Sequence, residues 1–356
     1  MSASLMIAKR IWPISSRLSQ RLNQRDISDV ASKTVTFDEG REWSARPLIH
    51  LPDELDKITG HHSDSNPESN LRLIDCDKVP QGPTQGFLLR DAVVAHGTVL
   101  TAGWLRHIRH EPRRAFLPKI GDRYDEAALS SSAVSERYFG HWLRDQLPLE
   151  ILIGKLGQQA LAVPGTVRPN EKGYRDLTNL EAEKPAFASI DKLWIYHDFE
   201  ITDHRVARIN ELRSRIRSNS QAAKSSDIVF LGRGDRSVGR SMINESEIAE
   251  ALSADGVTYL LPEKMEPAEI AGHLKDARIV MGPEGSAFAH ALCAMPEGAT
   301  MLHLIGPSNF TLHYRIYCEA LGMKLAIAIG DQEGADRFSF KPDHIRRTMD
   351  LILGSS

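Results

Sequence analysis

The sequence predicts an α/β protein of two domains whose C-terminal half is a parallel, doubly wound sheet. Three observations carry that expectation. Between Ile228 and Ile329, short apolar runs alternate with helical stretches. Strands alternating with single helices close into a parallel sheet with right-handed crossovers. Two of the strand-to-helix joints hold glycines and charged side chains suited to a phosphate. Finally, 356 residues suffice for two domains, each with its own core.

The elements follow in order. Lys9, Arg10, Arg17, Arg21 and Arg25 all precede the first acidic residue, Asp26, and Ile7, Ile11, Ile14 and Leu18 fall at helical spacing around Pro13. Such a basic amphipathic arm suits an anionic membrane face. The plainer alternative is a disordered leader or one packed on a domain. It lacks the continuous apolar stretch of a secretory signal, and no run approaches the roughly 20 apolar residues of a membrane span. Residues 60–70 (GHHSDSNPESN) read as a loop, and the apolar pieces from Gly86 to Trp104 read as small strands. Phe139, Trp142, Leu147, Ile151 and Leu152 predict a helix over 135–156, kinked or restarted at Pro148. Residues 164–185 read as a long connection and 193–196 as a strand. The polar stretch 213–227 reads as a domain boundary, dividing the chain into 1–85, 86–222 and 223–356.

Beyond it the spacing predicts strands at 228–231, 257–261, 279–281, 300–305 and 325–329. The helices between them run over 244–252, 267–277, the residues after Ser286, and 311–321.

Composition narrows the function. With 41% hydrophobic and 26% charged residues the chain is an ordinary globular protein, and a net charge of -3 gives no reason to expect a nucleic-acid partner. Cys76, Cys293 and Cys318 are sparse and odd in number, which fits reduced thiols in a cytoplasmic protein.

Three segments carry candidate chemistry. At the first joint, Gly232-Arg233-Gly234 continues to Gly239, Arg240 and the pair Asn244-Glu245. Ligands of open α/β sheets bind beyond the carboxyl ends of the strands, where Arg233 and Arg240 offer forked donors to a diphosphate. Asn244 and Glu245 begin a helix, where they either cap it or contact ribose or base. The glycines read G-x-G-x4-G, a weak approximation to a dinucleotide fingerprint. At the second joint, Gly282-Pro283-Glu284-Gly285-Ser286 opens a small-residue helix, so Gly285 and Ser286 would present backbone N–H groups to an anion. Glu284 suits a sugar hydroxyl better than a phosphate. In the N-terminal half, His141 and Asp145 share a helix face and form either a general base with its orienting carboxylate or a structural pair.

In this order the three segments resemble glycosyltransferase family 61, the capsular-polysaccharide-biosynthesis group. Its N-Y-x-H-W-L-x-D-x-L-P segment is matched by YFGHWLRDQLP, its R-x-x-x-N-E by RSMINE (Arg240 to Glu245), and its V-G-x-H-G-S/A-x-L-x-N by MGPEGSAFAHAL. The similarity runs from about Gly86 to about Gly330. The resemblance implies a GT-B-like fold of two facing Rossmann-like domains, with residues 86–222 on the acceptor side and 223–356 on the donor side. It implies inverting transfer of a hexosyl or pentosyl group from a nucleotide donor, typically UDP-linked, with no cofactor or obligatory metal. Arg233, Arg240, Asn244, Glu245, Gly285 and Ser286 match donor-binding positions, and His141 and Asp145 match the catalytic segment. Two departures bear on donor preference: Glu284 stands where many members have His, and His290 where many have Asn. The expected partners are a nucleotide sugar and a glycan or glycolipid acceptor of bacterial surface polysaccharide, with the basic arm touching the inner membrane. The competing readings are a non-catalytic glycan- or nucleotide-binding protein on a degenerate transferase fold, and a nucleotide-dependent oxidoreductase.

Overall fold

The computed structural model of the chain describes residues 25–63, 65–109, 121–165, 167–221, 226–234 and 241–354. The basic N-terminal arm lies outside these residues, as does Arg240. The chain forms two compact units. The first comprises the segment ending at Gly40, Gly82–Arg168 and Asn179–Ile209. The second comprises Arg41–Gln81, Pro169–Thr178 and Asn210–Ser356. These units are not consecutive segments, so the expected divisions at 85/86 and 222/223 do not describe them.

The first unit is built on a seven-stranded mixed sheet. Thr84–Ala95 pairs antiparallel with Lys33–Asp38, Thr98–Leu100 and Phe187–His197. Thr98–Leu100 in turn pairs antiparallel with Leu105–His107, while Asp122–Leu129 runs parallel to Phe187–His197 and to Ala160–Leu161. This corrects the expectation of a Rossmann-like N-terminal domain. The physical reason is a two-residue turn, His96-Gly97, with φ of 44° and 81°. Positive φ at both positions makes the tight turn that folds a strand back on its neighbour instead of crossing over through a helix. Both sheet faces are covered, which is why Phe87-Leu88-Leu89 reads as an unbroken apolar run. Phe87, Leu89, Leu193 and Ile195 pack into one cluster, while Leu88 and Trp194 pack with Leu149, Leu152 and Ile153 in another.

The single helix expected over 135–156 is instead Ala133–Arg137, Phe139–His141, a π-helical turn Trp142–Gln146, and Leu147–Lys155. In that turn the Leu147 N–H donates to the Trp142 carbonyl. Pro148 has no N–H to give and its ring crowds the carbonyl four residues back, and the wider turn accommodates both.

The second unit holds the predicted parallel sheet. Its five strands are Ile228–Leu231, Thr258–Leu260, Ile279–Pro283, Thr300–Ile305 and Lys324–Ile329. All neighbours run parallel, and numbered in chain order they lie 2-1-3-4-5. Helices Glu245–Ser253, Pro267–Leu274, Phe288–Ala294 and Arg315–Ala320 occupy the four crossovers. Ile248 and Leu252 pack with Phe230, Met281, Leu302, and with Ile345 and Met349 of the unpredicted helix Pro342–Gly354.

Two polar segments gain structure. Helix Glu171–Thr178 lies inside the stretch read as a connection, with Tyr174 and Leu177 buried. Residues 213–218 end the helix Asp203–Ser218 rather than a linker, because Ile209, Leu212 and Ile216 give it a buried stripe. Cys293 and Cys318 are buried and form no disulfide among the described residues. No helix among the described residues is long and apolar enough to cross a membrane.

Candidate active site

In the first unit the π-helical turn concentrates charge. His141 Nδ1 lies 2.6 Å from Asp145 Oδ2, and Arg205 Nη2 donates to Asp145 Oδ1 at 2.5 Å. Arg205 comes from helix Asp203–Ser218 and is fully buried, as are nearly all of Asp145 and Arg144. Arg144 Nη2 sits 3.3 Å from His141 Nε2. A guanidinium only donates, so Nε2 accepts, and the ring proton resides on Nδ1 and is donated to Asp145. Burial opposes ionisation of Asp145. Arg144, Arg205 and the His141 hydrogen bond outweigh it and hold the carboxyl well below the usual carboxylate range. A carboxylate so held is a poor proton acceptor but a firm orienter of the imidazole. His141, with its side chain 27% exposed, is the member that a ligand can reach.

A second pair stands beside the first. Asp198 Oδ1 accepts from Arg208 Nη2 at 2.5 Å and from Thr84 Oγ1 at 2.9 Å. Arg205 and Arg208 are three residues apart on one helix, so they project from the same face. Asp145 and Asp198 both line a small pocket. Neither arginine nor Asp198 was singled out from the sequence. The available signal was the spacing of Arg205 and Arg208 with Ile209, Leu212 and Ile216, which makes the arginines part of an amphipathic helix.

In the second unit the two glycine joints follow the first and third strands, which are neighbours. In a 2-1-3-4-5 sheet these flank the point where strand order reverses, the place where open α/β sheets bind ligands. Gly282 is required there: a Cβ would stand 2.3 Å from the Leu231 carbonyl oxygen, and its φ is 157°. Arg233 crosses between the joints, donating from Nη1 to the Glu284 carbonyl at 3.2 Å. Its guanidinium lies against Gly285.

Glu245 accepts from the backbone N–H of Arg233 at 3.0 Å, from that of Gly234 at 3.2 Å, and from the Tyr259 hydroxyl at 2.8 Å. It therefore shapes the first joint from behind. Asn244 makes a two-way clamp on Phe340, donating to its carbonyl at 2.8 Å and accepting from its N–H at 3.2 Å. It makes no side-chain cap on helix Glu245–Ser253. The helix after the second joint begins at Phe288 rather than Ser286, and Gly285 and Ser286 form the turn before it, accepting from the N–H groups of Phe288 and Ala289. Glu284 is largely buried and its N–H is tied to Leu304.

His290 points into the core. The Tyr174 hydroxyl meets its Nδ1 at 2.5 Å, and burial pushes its pKa down to about 3. The neutral ring accepts from Tyr174, so this departure from the family pattern is accommodated by packing.

A family model described as glycosyltransferase 61 matches residues 139–302. Over these residues the chain is similar to glycosyltransferase family 61. The match begins within the His141 segment, takes in both glycine joints, and ends in the fourth strand of the parallel sheet. The chain thus carries a glycosyltransferase domain, whose substrates are a sugar donor and an acceptor. No curated protein matches the chain.

Proposed function

We propose that the chain is an inverting glycosyltransferase, moving a hexosyl or pentosyl group from a nucleotide donor, UDP-linked, to a hydroxyl of a glycan or lipid-linked acceptor. The setting proposed is bacterial surface polysaccharide synthesis at the cytoplasmic face of the membrane. The observation that carries the chemistry is the His141–Asp145–Arg205 chain, in which Asp145, anchored by Arg205, orients the imidazole through Nδ1.

In the proposed reaction the acceptor hydroxyl displaces Arg144 from His141 Nε2 and gives its proton to that nitrogen. The hydroxyl oxygen bonds to the anomeric carbon on the face opposite the nucleotide. The bond from that carbon to the diphosphate breaks, and its electron pair leaves with the diphosphate. Asp145 stabilises the imidazolium that forms. Arg233 and the backbone at Gly285 and Ser286 receive the leaving charge, with Arg240 as the proposed companion on the strength of its motif. No metal is assigned to this step. Asn244 and Glu245 act on the donor through the loop they hold, and Glu284 through the sugar hydroxyls.

The test is calorimetric binding and hydrolysis across a panel of nucleoside diphosphates and their sugars, with Arg233→Ala alongside. UDP is expected to bind the wild type in the micromolar range, and Arg233→Ala to weaken it tenfold or more. If no nucleoside diphosphate binds the wild type, the proposal fails.

A further inference from the structure

The pocket beside Asp145 has a composition that the transfer chemistry does not use. Ser130, Ser132, Gln146, His197 and Asp198 line it, with Phe199 among the lining groups. Phe199 is 43% exposed, unusual for a large aromatic in a chain this well packed. Asp198 is 4% exposed, and its Oδ2 accepts no hydrogen bond among the described residues. A buried carboxylate oxygen without a donor is costly, and it marks a place for a ligand hydroxyl.

The lining also limits what the ligand is. Asp145 and Asp198 are each matched from behind by an arginine, Arg205 and Arg208. Burial, then Arg106, holds the His197 pKa down, so its ring stays neutral. Arg106 is the one cation among the described lining residues, and an anion drawn to it would still face two carboxylates, while a cation would compete with Arg106 and the two buried guanidiniums for them. A neutral polyhydroxylated molecule meets neither obstacle. The enclosed space is about 30 Å³, room for one or two hydroxyl groups but not for a sugar ring. The ring would then lie outside, where the exposed Phe199 offers a flat apolar face to the C–H face of a pyranose.

Building on the transferase reading, we propose that this pocket seats a neutral pyranose of the acceptor, one edge hydrogen-bonded to Asp198 and the ring face against Phe199. Asp145 lines the same pocket and also holds His141 Nδ1, so one side chain separates the seated sugar from the base. Phe199 and Asp198 are thereby acceptor-specificity residues, separate from the donor joints.

Saturation-transfer NMR with the methyl glycosides of glucose, galactose, mannose and N-acetylglucosamine tests the pocket, with UDP titrated in parallel. At least one glycoside should bind the wild type. Phe199→Ala should weaken that glycoside roughly five- to tenfold, and Phe199→Tyr should restore it. UDP affinity should be unchanged in both variants. Phe199 is exposed, so its loss leaves the core intact. The pocket proposal is overturned if no glycoside binds, or if Phe199→Ala binds it as the wild type does. Failure of UDP to bind the wild type would instead strike the transferase reading, whatever the glycosides do.

Discussion

The His141 segment and the Arg233 joint both combine a motif carboxylate with arginines, yet the carboxylates act on different objects. Asp145 grips side chains: His141, Arg144 and Arg205. Glu245 grips backbone: the N–H groups of Arg233 and Gly234, with the Tyr259 hydroxyl. The first arrangement sets the protonation and direction of one imidazole. The second sets the course of a loop. Identical residue types at motif positions therefore carry electronic work in one unit and conformational work in the other, and substitution should separate the two.

The largest effect is expected at Asp145. Asp145→Asn leaves Arg205 buried beside a neutral amide, and removing one partner of a buried pair costs about 3–5 kcal/mol. Denaturant unfolding should show that loss, and Asp145→Asn/Arg205→Met should recover much of it. Equal stability of the single variant and the wild type would break the distinction, because Asp145 would then not be balancing buried charge.

The next effect is one of pH. His290 titrates near 3 when folded against 6.5 when exposed, so between those values the unfolded chain binds the extra proton. Stability should therefore fall as pH drops through that window, by up to about 1.4 kcal/mol per unit. The Glu54 carboxyl is also held below its usual range: burial opposes this, but hydrogen bonds from His344 and Lys57 prevail. Its stabilising contribution is lost only as pH falls below about 4.5. The wild-type minus His290→Asn difference between pH 5 and 6.5 isolates the histidine. Parallel unfolding curves over that range would contradict the buried neutral ring.

Smaller effects belong to the second unit. Glu245→Gln weakens charged acceptance from two N–H groups and should cost about 1–2 kcal/mol. It should raise the UDP Kd several-fold while leaving turnover at saturating donor within a factor of three. Asn244→Ala should cost about 1 kcal/mol through the lost Phe340 clamp, with the smallest change in UDP affinity. A larger loss of affinity in Asn244→Ala than in Glu245→Gln would show that Asn244 touches the donor itself.

The parallel sheet was legible almost strand for strand, because each buried strand is an apolar run and each crossover a separate helix. The first unit was not. Its tight hairpin, His96-Gly97, lacks the usual Asn-Gly or Asp-Gly signal, and Thr84–Ala95 pairs antiparallel with Lys33–Asp38 and Phe187–His197 across long stretches of chain. Helix Glu171–Thr178 was hidden because its mean composition is polar and only Tyr174, Leu177 and Thr178 are buried. In the site, the His141–Asp145 pairing follows from their spacing of four, and the structure brings them into contact. Arg205 lies sixty residues further on and meets them only through the fold. Glu245 and Asn244 show the converse limit. Motif letters mark where a residue stands but not whether its side chain faces the ligand or holds the loop behind it.

The division of labour is tested most directly by measuring UDP affinity and transfer rate together in His141→Ala and Arg233→Ala. His141→Ala should keep the UDP Kd within about twofold while transfer falls by roughly 10²–10⁴. Arg233→Ala should weaken UDP at least about tenfold and, with donor saturating, lose far less of the transfer rate. If His141→Ala weakens UDP as much as Arg233→Ala does, or transfers sugar at the wild-type rate, the assignment of proton transfer to the first unit is wrong.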